Sequence, residues 1–503
     1  MIGRAGAAIS VDISGPEKKM RRGPQNPLGG RPPGARAEEE ADPTMCDGPA
    51  NRRPRVRGRG PGLMVLPLFA VLSAAGCHGA RHEPNVLLVT LDTVRSDHTS
   101  VFGYERDTTP TLRRLATAGA TLATAYAPCP VTEPSHLSMM SGLYPVAHDL
   151  TTNGLEVGRT TPWLPDAMKA AGYETCAIVS SFVLDHRFGW SRSFDHFDDR
   201  FTPATASVVV KSWEGFAIDS GALDQRAVHA TDKALAWLAD RTAPDAPFFL
   251  WVHYFDPHTP YDPPAPYSSA FHPETRDLDP LALFELRYDQ EILYTDHELG
   301  RLVDAAEKLS GGRGLLLVVA SDHGESFLEH GHVHHGLTVY EEAVRVPVLF
   351  RWPGKIPAGA RLAEPVTLVD LGPTVLGLLG IETRLGRDGR DLSAEIRGRA
   401  RPTPDRPVYL QRRIFSPGVT DELFDPPWAR RPVGRRIRGV QLGVRLGPWK
   451  YIENKADGQA ELFDLRSDPH ERANVAPSQL ALVDRLSAQL RGVFRRFADQ
   501  PVW

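Results

Sequence analysis

Three short apolar runs, each followed within two residues by an aspartate, place the strongest constraint on the fold of this chain. They are Asn85–Leu91 (NVLLVTL) before Asp92, Phe248–Tyr254 (FFLWVHY) before Asp256, and residues 315–320 (LLLVVA) before Asp322. Continuous apolar runs rich in β-branched residues are typical of strands buried on both faces of a parallel sheet. An acidic residue at the carboxyl end of such a strand lies where open α/β sheets bind ligands.

Segments with helical periodicity separate these three runs. They are residues 111–118, 164–171, 224–241 and 289–309. Strands that alternate with helices along a chain favour a parallel sheet, because each helix crosses back over the sheet. The sequence therefore predicts an α/β fold with a doubly wound, mostly parallel central sheet flanked by helices.

The pattern changes near residue 400. Residues 440–446, 449–453 and 461–465 are predicted to form short strands joined by Gly and Asp turns, and residues 477–497 a closing helix. We therefore expect a catalytic domain over residues 84–400. A small C-terminal antiparallel α+β subdomain is expected over residues 401–503.

The N-terminal part has the composition of a leader rather than of a folded domain. Residues 1–62 are rich in Gly, Pro, Arg and Glu and have almost no aliphatic periodicity, so we expect them to be disordered. Residues 63–80 read as a signal segment, with a basic cluster before a short apolar run. Such a signal would begin unusually far into the chain. The first 62 residues are therefore either a disordered leader or a mis-assigned one, with the true start at Met45.

The end of this signal segment resembles a bacterial lipobox. It reads Ala74-Ala75-Gly76-Cys77, with alanine where leucine is preferred. We expect an exported protein of a bacterium, either periplasmic or a membrane-anchored lipoprotein. The alternative is a cytosolic protein with a chance apolar patch.

Charge and cysteine content exclude several classes of protein. The net charge is −4, which gives no bias toward polyanions, so no nucleic-acid partner is expected. Four cysteines are too few for a disulfide scaffold, and none has the paired spacing of a zinc ribbon. A membrane is expected as a partner only through the N-terminal lipid anchor.

Carboxylate and imidazole groups follow the predicted strands, and a hydroxyl opens a predicted helix. Asp92, Asp322, His323 and His258 lie at strand ends, and Thr132 lies in a turn before a helix. Groups of these types can converge on one divalent cation, which lowers a hydroxyl pKa and neutralises charge on a transferred phosphoryl or sulfuryl group. Each alone has a structural alternative, as a helix cap or a turn residue.

Several spaced motifs resemble those of the sulfatases in the alkaline phosphatase superfamily. Residues 132–136 (TEPSH) with Ser141-Gly142 are similar to the pattern C-x-P-S-R-x4-[ST]-G. The resemblance covers roughly residues 84–475 and includes NVL at 85–87, DPHTPY at 256–261, SDHGE at 321–325, YEE at 340–342 with RVP at 345–347, WKY at 449–451, and ELFDL at 461–465 with DP at 468–469.

The resemblance implies roles for individual residues. Asp92, Asp322 and His323 would be metal ligands, and the oxygen of Thr132 would complete the set. His258 would contact the bound anion or the leaving group, and His335 falls near the position of a substrate-binding lysine. His136 replaces the arginine that orients the nucleophile, and it is charged only near or below a pKa of about 6.5. Glu325 and Arg345 are expected to be structural.

Departures from the sulfatase pattern bear on the chemistry. Thr132 stands where sulfatases have a cysteine or serine that is oxidised to formylglycine. Thr93 replaces a second aspartate, His323 replaces an asparagine, and a Lys-x-His segment after Gly172-Tyr173 is missing. The set resembles the single-metal site of lipoteichoic acid synthases and phosphoethanolamine transferases. One divalent ion is expected, with Mn²⁺ or Zn²⁺ favoured over Ca²⁺.

These residues predict a metal-dependent hydrolase of sulfuric or phosphoric esters that uses Thr132 as its nucleophile. The substrate would be a small-molecule, glycan or lipid ester. A phosphothreonine intermediate is broken down more readily than a sulfated threonine. The chemistry therefore favours phosphate, while the resemblance favours sulfate. Two alternatives remain: a phospho-headgroup transferase, of the phosphoethanolamine or glycerophosphate type, and a catalytically inactive envelope binding protein.

Overall fold

The computed structural model describes residues 83–213, 216–271, 278–382, 384–401, 406–412, 439–455 and 457–495. Its strands are β1 (Asn85–Leu91), β2 (Ala120–Tyr126), β3 (Glu174–Ile178), β4 (His196–Asp198), β5 (Ser212–Trp213), β6 (Phe216–Ala217), β7 (Phe248–Tyr254), β8 (Leu315–Ser321), β9 (Ser326–Phe327), β10 (Val333–His334), β11 (Arg345–Arg351), β12 (Ala360–Leu362), β13 (Val366–Thr367), β14 (Val408–Arg412), β15 (Gln441–Leu446), β16 (Trp449–Asn454) and β17 (Ala460–Asp464). Its α-helices are α1 (Pro110–Thr117), α2 (Thr132–Ser141), α3 (Pro145–His148), α4 (Leu164–Ala170), α5 (Ala227–Ala239), α6 (Pro280–Ser310), α7 (Glu341–Val344), α8 (Leu371–Leu379), α9 (Ser393–Ile396) and α10 (Leu480–Val493).

A nine-stranded sheet forms the centre of the described domain. Its order is β12-β2-β11-β8-β1-β7-β3-β4, and β13 also pairs with β2. All neighbours are parallel except β11, which is antiparallel to both β2 and β8. The predicted α/β class, with a mostly parallel central sheet between helices, is confirmed.

The three apolar runs form the middle of this sheet, where β1 lies between β8 and β7. Successive residues of β1 point to opposite faces, so Val86 and Leu88 enter one core while Leu87 and Val89 enter the other. Helices cover both faces, with α2 and α8 on the first and α1, α5 and α6 on the second. Because both faces are buried, these strands read as continuous apolar runs.

Helix α6 begins nine residues before the predicted start at residue 289. Asp279 caps it by accepting hydrogen bonds from the amides of Leu281 (2.9 Å) and Ala282 (3.0 Å), and Pro280 occupies the first turn. These are strong start signals, because the cap satisfies amides that have no partner within the helix. Apolar periodicity alone therefore predicts too late a start for this helix.

The C-terminal part is the expected small antiparallel sheet, in the order β14-β15-β16-β17, with α10 packed against it. A buried ion pair fixes it to the central domain. Lys450 Nζ on β16 lies 2.9 Å from Glu341 Oε1 on α7 and 3.0 Å from Glu471 Oε1. Burial disfavours the charge on Lys450, but these two carboxylates outweigh burial and raise its pKa.

The predictions for residues 1–62, the signal segment 63–80, the lipobox at Cys77 and the start at Met45 lie outside the described residues. Among the helices of the described residues, none has the length and hydropathy of a membrane-spanning segment.

Candidate active site

The carboxyl ends of β1 and β8 bring two predicted site residues together. Asp92 follows β1 and Asp322 follows β8, and the two strands pair in parallel so that Leu91 lies opposite Ser321. The amide of Asp322 donates to the carbonyl of Leu91 at 3.2 Å, which continues the pairing by one residue. Two residues 230 positions apart in the chain are therefore held at one sheet edge by backbone hydrogen bonds.

Both carboxylates are fully buried, and most of their oxygens have no hydrogen-bond partner. Asp92 Oδ1, Asp92 Oδ2 and Asp322 Oδ2 are all without one. Only Asp322 Oδ1 is satisfied, by the amides of Thr93 at 3.2 Å and His323 at 2.8 Å. Burial, followed by repulsion from Asp92, raises the pKa of Asp322. Buried carboxylate oxygens without partners are costly unless a cation occupies the space between them.

His323 lies beside both carboxylates. Its Nε2 is 3.7 Å from Asp92 Oδ1 and 3.5 Å from Asp322 Oδ2, while its Nδ1 lies 3.0 Å from the carbonyl of Gly324. An Nδ1–H donated to a backbone carbonyl leaves the lone pair on Nε2, which is the arrangement of a metal-ligating histidine. Asp92, Asp322 and His323 each offer one ligand atom, and these atoms lie within 4.8 Å of one another.

Thr132 is the first residue of α2 and faces this cluster. Its Oγ1 lies 3.4 Å from His323 Nε2, and the residue is only 3% exposed. The Oγ of Ser135, one turn into the helix, donates to the carbonyl of Asp322 at 2.6 Å and ties α2 to the end of β8. The amino end of a helix carries partial positive charge, which favours an anion there. The hydroxyl is thus beside the buried carboxylates, at the electropositive end of α2.

The residues present fit a divalent cation. Two carboxylates, an imidazole nitrogen and a hydroxyl converge from β1, β8 and α2, and three carboxylate oxygens among them have no other partner. Mixed oxygen and nitrogen ligands of this kind suit Mn²⁺, Zn²⁺ or related ions. The described residues thus have the ligand types and spacing to hold one divalent ion.

His136 lies in the same cluster, one turn along α2 from Thr132. Its Nδ1 lies 2.8 Å from the carbonyl of Thr132 and 3.6 Å from Asp322 Oδ2. Burial lowers the pKa of His136 to about 4, against the attraction of Asp322. The ring is therefore neutral near pH 7, unlike the arginine that the resemblance places there.

His258 and His335 form a second group of predicted residues beside His323. The ring of His335 lies 4.6 Å from that of His323 and 4.9 Å from that of His258. Burial lowers the pKa of His258 to about 4, and its Nδ1 lies 2.7 Å from the carbonyl of Thr259. Seven site residues were predicted from the sequence, and the structure brings all seven together, His136 included.

Glu325 raises the pKa of His335, whereas burial lowers that of His258. Its Oε1 lies 3.2 Å from His335 Nδ1, and its Oε2 accepts a hydrogen bond from Tyr261 Oη at 2.9 Å. Burial opposes charge on both groups, yet their mutual attraction lowers the pKa of Glu325 to about 2 and raises that of His335. Sequence reasoning assigned Glu325 only a structural role, whereas the structure places it directly on a site histidine.

His253 is a site residue that sequence reasoning missed. It is the next-to-last residue of β7, fully buried, and its Nε2 lies 3.5 Å from Asp92 Oδ2. His253, His136 and Asp322 form a second set whose ligand atoms lie within 4.8 Å of one another. The sequence held a signal, since a histidine inside the otherwise hydrophobic run FFLWVHY needs a polar partner.

The sequence profile of one known family fits this chain. The profile of the sulfatases matches residues 84–381, which is more than half of the 503 residues. The chain belongs to the sulfatase family. This confirms the resemblance drawn from TEPSH and the accompanying motifs, and it makes the chain an ester hydrolase of the sulfatase type, with sulfuric or phosphoric esters as its substrate class.

Individual sulfatases are similar over most of their length. Arylsulfatase K of Rattus norvegicus is 28% identical over 465 residues, covering 82% of this chain and 78% of that protein. The Delta 4,5-hexuronate-2-O-sulfatase of Bacteroides thetaiotaomicron is 24% identical over 449 residues, covering 79% and 85%.

Solved structures share the fold. One is a protein in complex with its substrate D-glucosamine-2-N,6-O-disulfate; its TM-score is 0.65 at 19% identity, covering 84% of this chain and 99% of that one. Another is the phosphonate monoester hydrolase of Silicibacter pomeroyi, with a TM-score of 0.63 at 23% identity, covering 82% and 96%. At these identities the likeness concerns the fold alone.

Proposed function

We propose that this sulfatase-family protein is a metal-dependent ester hydrolase with Thr132 as the nucleophile. The observation that carries the proposal is the position of Thr132 Oγ1. It lies 3.4 Å from His323 Nε2, at the amino end of α2, beside the unpartnered oxygens of Asp92 and Asp322. Cys129, three residues earlier, is a poorer nucleophile, because its thiol donates to the carbonyl of Val131 and burial raises its pKa.

Asp92, Asp322, His323 and Thr132 would hold the metal ion. When bound, the ion lowers the pKa of the Thr132 hydroxyl and neutralises charge on the transferred group. Two buried carboxylates and a neutral imidazole leave little excess positive charge for the substrate anion. The remaining stabilisation would come from the amino end of α2 and from His335, whose charge is favoured by Glu325.

The reaction would proceed in two displacements at the phosphorus or sulfur atom. In the first, Thr132 Oγ loses its proton to solvent and forms a bond to that atom, the bond between that atom and the ester oxygen breaks, and the leaving oxygen takes a proton from His335. In the second, water attacks the same atom, the bond to Thr132 Oγ breaks, and Thr132 Oγ takes up a proton from solvent. His258, neutral and adjacent to His335, is placed to accept the proton of that water and to return it to His335.

The nucleophile favours phosphoric over sulfuric esters. A formylglycine hydrate releases sulfate by collapsing to an aldehyde, but a sulfated threonine has no such route and depends on attack by water at sulfur. A phosphothreonine is opened by in-line attack of water, a reaction that a metal ion assists well. We therefore propose phosphate mono- or diesters as the preferred substrates and sulfate esters as weaker ones.

We also propose that the substrate is a glycan, lipid or other small-molecule ester and that the enzyme acts outside the cytoplasm. Two similar proteins support the first part by their own named substrates, a hexuronate sulfate and a glucosamine disulfate. Export and lipid anchoring are supported only by the signal segment and lipobox at 63–80. Mass spectrometry of the mature protein would identify an acylated Cys77, and an unmodified internal cysteine would contradict the anchor.

The decisive experiment compares wild type with Thr132→Ala and Thr132→Ser on aryl phosphate, aryl phosphodiester and aryl sulfate substrates. We expect Thr132→Ala to lose at least about 1,000-fold in kcat, because the covalent route disappears. Thr132→Ser should retain measurable turnover, because it keeps the hydroxyl. Peptide mass spectrometry of quenched, digested wild type should detect a peptide phosphorylated at Thr132.

Three outcomes would contradict this function. Full activity of Thr132→Ala would exclude the nucleophile. No turnover of any ester by metal-loaded protein would favour a binding protein without catalysis. Transfer of the phosphoryl group to an added alcohol faster than to water would favour a headgroup transferase.

A further inference from the structure

Five buried polar atoms at the site have no hydrogen-bond partner among the described residues. They are Asp92 Oδ1, Asp92 Oδ2, Asp322 Oδ2, His136 Nε2 and His253 Nε2. Their side chains come from β1, β8, α2 and β7, and all four residues are 0% exposed. Such groups usually find a partner, so a cluster of them points to an occupant.

We propose that His136, His253 and Asp322, together with Asp92 Oδ2, form a second cation site that adjoins the first. This inference rests on the metal site of the proposed function and adds a second ion to it. The two sites would share the carboxylates of Asp92 and Asp322.

The assignment of atoms to the two sites follows from the distances. Asp92 Oδ1 and Asp322 Oδ2 are the oxygens near His323 Nε2, at 3.7 and 3.5 Å, and they belong to the first site. Asp92 Oδ2 instead lies 3.5 Å from His253 Nε2. One ion on the first set therefore leaves Asp92 Oδ2, His136 Nε2 and His253 Nε2 without partners.

The ring of His136 has the orientation expected of a ligand. Its Nδ1 lies 2.8 Å from the carbonyl of Thr132, so Nδ1 carries the proton and Nε2 keeps its lone pair. Its burial favours the neutral form that a metal ion requires. Two tryptophan rings lie beside His136, with Trp251 5.7 Å and Trp190 6.3 Å away, measured between ring centres.

His253 lies across the pocket from His136, with ring centres 5.1 Å apart. The amide of Ser180 donates a long hydrogen bond to His253 Nδ1 at 3.4 Å. That bond leaves a proton on Nε2, 3.5 Å from Asp92 Oδ2, so a metal ion on Nε2 must displace this proton and break the bond. The two arrangements differ in the number of ions bound, which can be measured.

The ligand set indicates which ions would bind. Two imidazole nitrogens and two carboxylate oxygens suit Zn²⁺, Mn²⁺ or Fe²⁺, and they exclude Mg²⁺ and Ca²⁺ as preferred ions because those take oxygen ligands. Ions that share a carboxylate in hydrolases lie about 3.5–4 Å apart.

Metal stoichiometry tests the proposal without reference to catalysis. The purified full chain would be stripped of metal, dialysed against Zn²⁺ or Mn²⁺, and analysed by inductively coupled plasma mass spectrometry. We expect two equivalents for wild type and one for His253→Ala and His253→Asn. The matched control His196→Ala removes an exposed histidine of β4 and should keep two. With Mn²⁺, wild type should give the electron paramagnetic resonance spectrum of an exchange-coupled pair, and both His253 variants the spectrum of an isolated ion.

Each other result has a distinct meaning. One equivalent in wild type, with an isolated-ion spectrum, would overturn the second site and leave the proposed function intact. No bound metal in wild type would overturn both. Retention of two equivalents by both His253 variants, with melting temperatures like that of wild type, would exclude His253 as a ligand and overturn the site as drawn.

Discussion

At the scale of single residues, the site depends on side chains whose neighbours set their charge. His136, His253 and His258 are buried, and burial lowers the pKa of each to about 4, so all three are neutral near pH 7. His335 is the exception, because Glu325 lies 3.2 Å from its Nδ1. A site that would bind an anion therefore has one histidine whose positive charge is specifically supported.

The charge on His335 should depend on Glu325. Glu325→Gln keeps the shape but removes the carboxylate, so we expect kcat/KM for an anionic ester to fall by about 100-fold, the lower end of a single general-acid contribution. The control Tyr261→Phe removes the other hydrogen bond to Glu325 and leaves its charge. Steady-state kinetics across pH should show a larger loss at neutral than at acidic pH for Glu325→Gln alone. Equal losses in the two variants would assign Glu325 a purely structural role.

At the scale of elements, a segment after β8 links the site to the C-terminal sheet. His330 lies between β9 and β10, stacks on Tyr340 with ring centres 3.7 Å apart, and lies 2.8 Å from Glu342 Oε1. Its Nε2 is 3.1 Å from the carbonyl of Glu471, next to the buried Lys450 ion pair. Burial disfavours the charged ring, but Glu342 outweighs burial and raises the pKa of His330 to about 9.

This pKa predicts a pH dependence of stability. The folded pKa lies above the unfolded value of about 6.5, so the stabilisation is complete below pH 6.5 and is lost as pH rises through 9. The shift corresponds to about 3 kcal/mol of unfolding free energy at most. Urea unfolding of wild type and His330→Gln between pH 6 and 9.5 should give a difference in stability that shrinks with pH. The exposed control His196→Gln should show no such change, and a constant difference for His330→Gln would contradict the assigned pKa.

At the scale of the whole molecule, burial of the site's carboxylates has a free-energy cost that the rest of the fold must offset. Asp92 and Asp322 are completely buried at the end of the two central strands, where an uncompensated charge destabilises the sheet. The apolar strands β1, β7 and β8 offset this destabilisation, because they are buried on both faces. Bound metal should therefore stabilise the protein as well as activate the nucleophile.

Removal of metal should lower the melting temperature of the whole chain. A ligand present at 100 times its dissociation constant contributes about 2.7 kcal/mol, which corresponds to several degrees for a protein of this size. Differential scanning calorimetry with and without a chelator measures the shift, and added Mn²⁺ or Zn²⁺ should reverse it. Asp92→Asn should respond less to the chelator because a ligand is already lost. A melting temperature unaffected by the chelator in wild type would contradict the metal site.

The sequence by itself determined the central strands and the aspartates that follow them. Asn85–Leu91 and Phe248–Tyr254 were predicted with the bounds that the structure has, because burial on both faces leaves a continuous apolar run. It also supplied the family, through motifs that lie in fixed order along the chain. These features are local, so they can be read without knowing which strands pair.

Only the tertiary structure decided which side chains meet. The antiparallel insertion of β11 between β2 and β8, the contact of Glu325 with His335, and the convergence of His136 and His253 on Asp322 all depend on pairing between distant segments. His253 lies within an apolar strand, and its contact with Asp92 follows only from the pairing of β7 with β1. Local pattern specifies what each segment can bury, whereas strand order and register decide what each polar group faces.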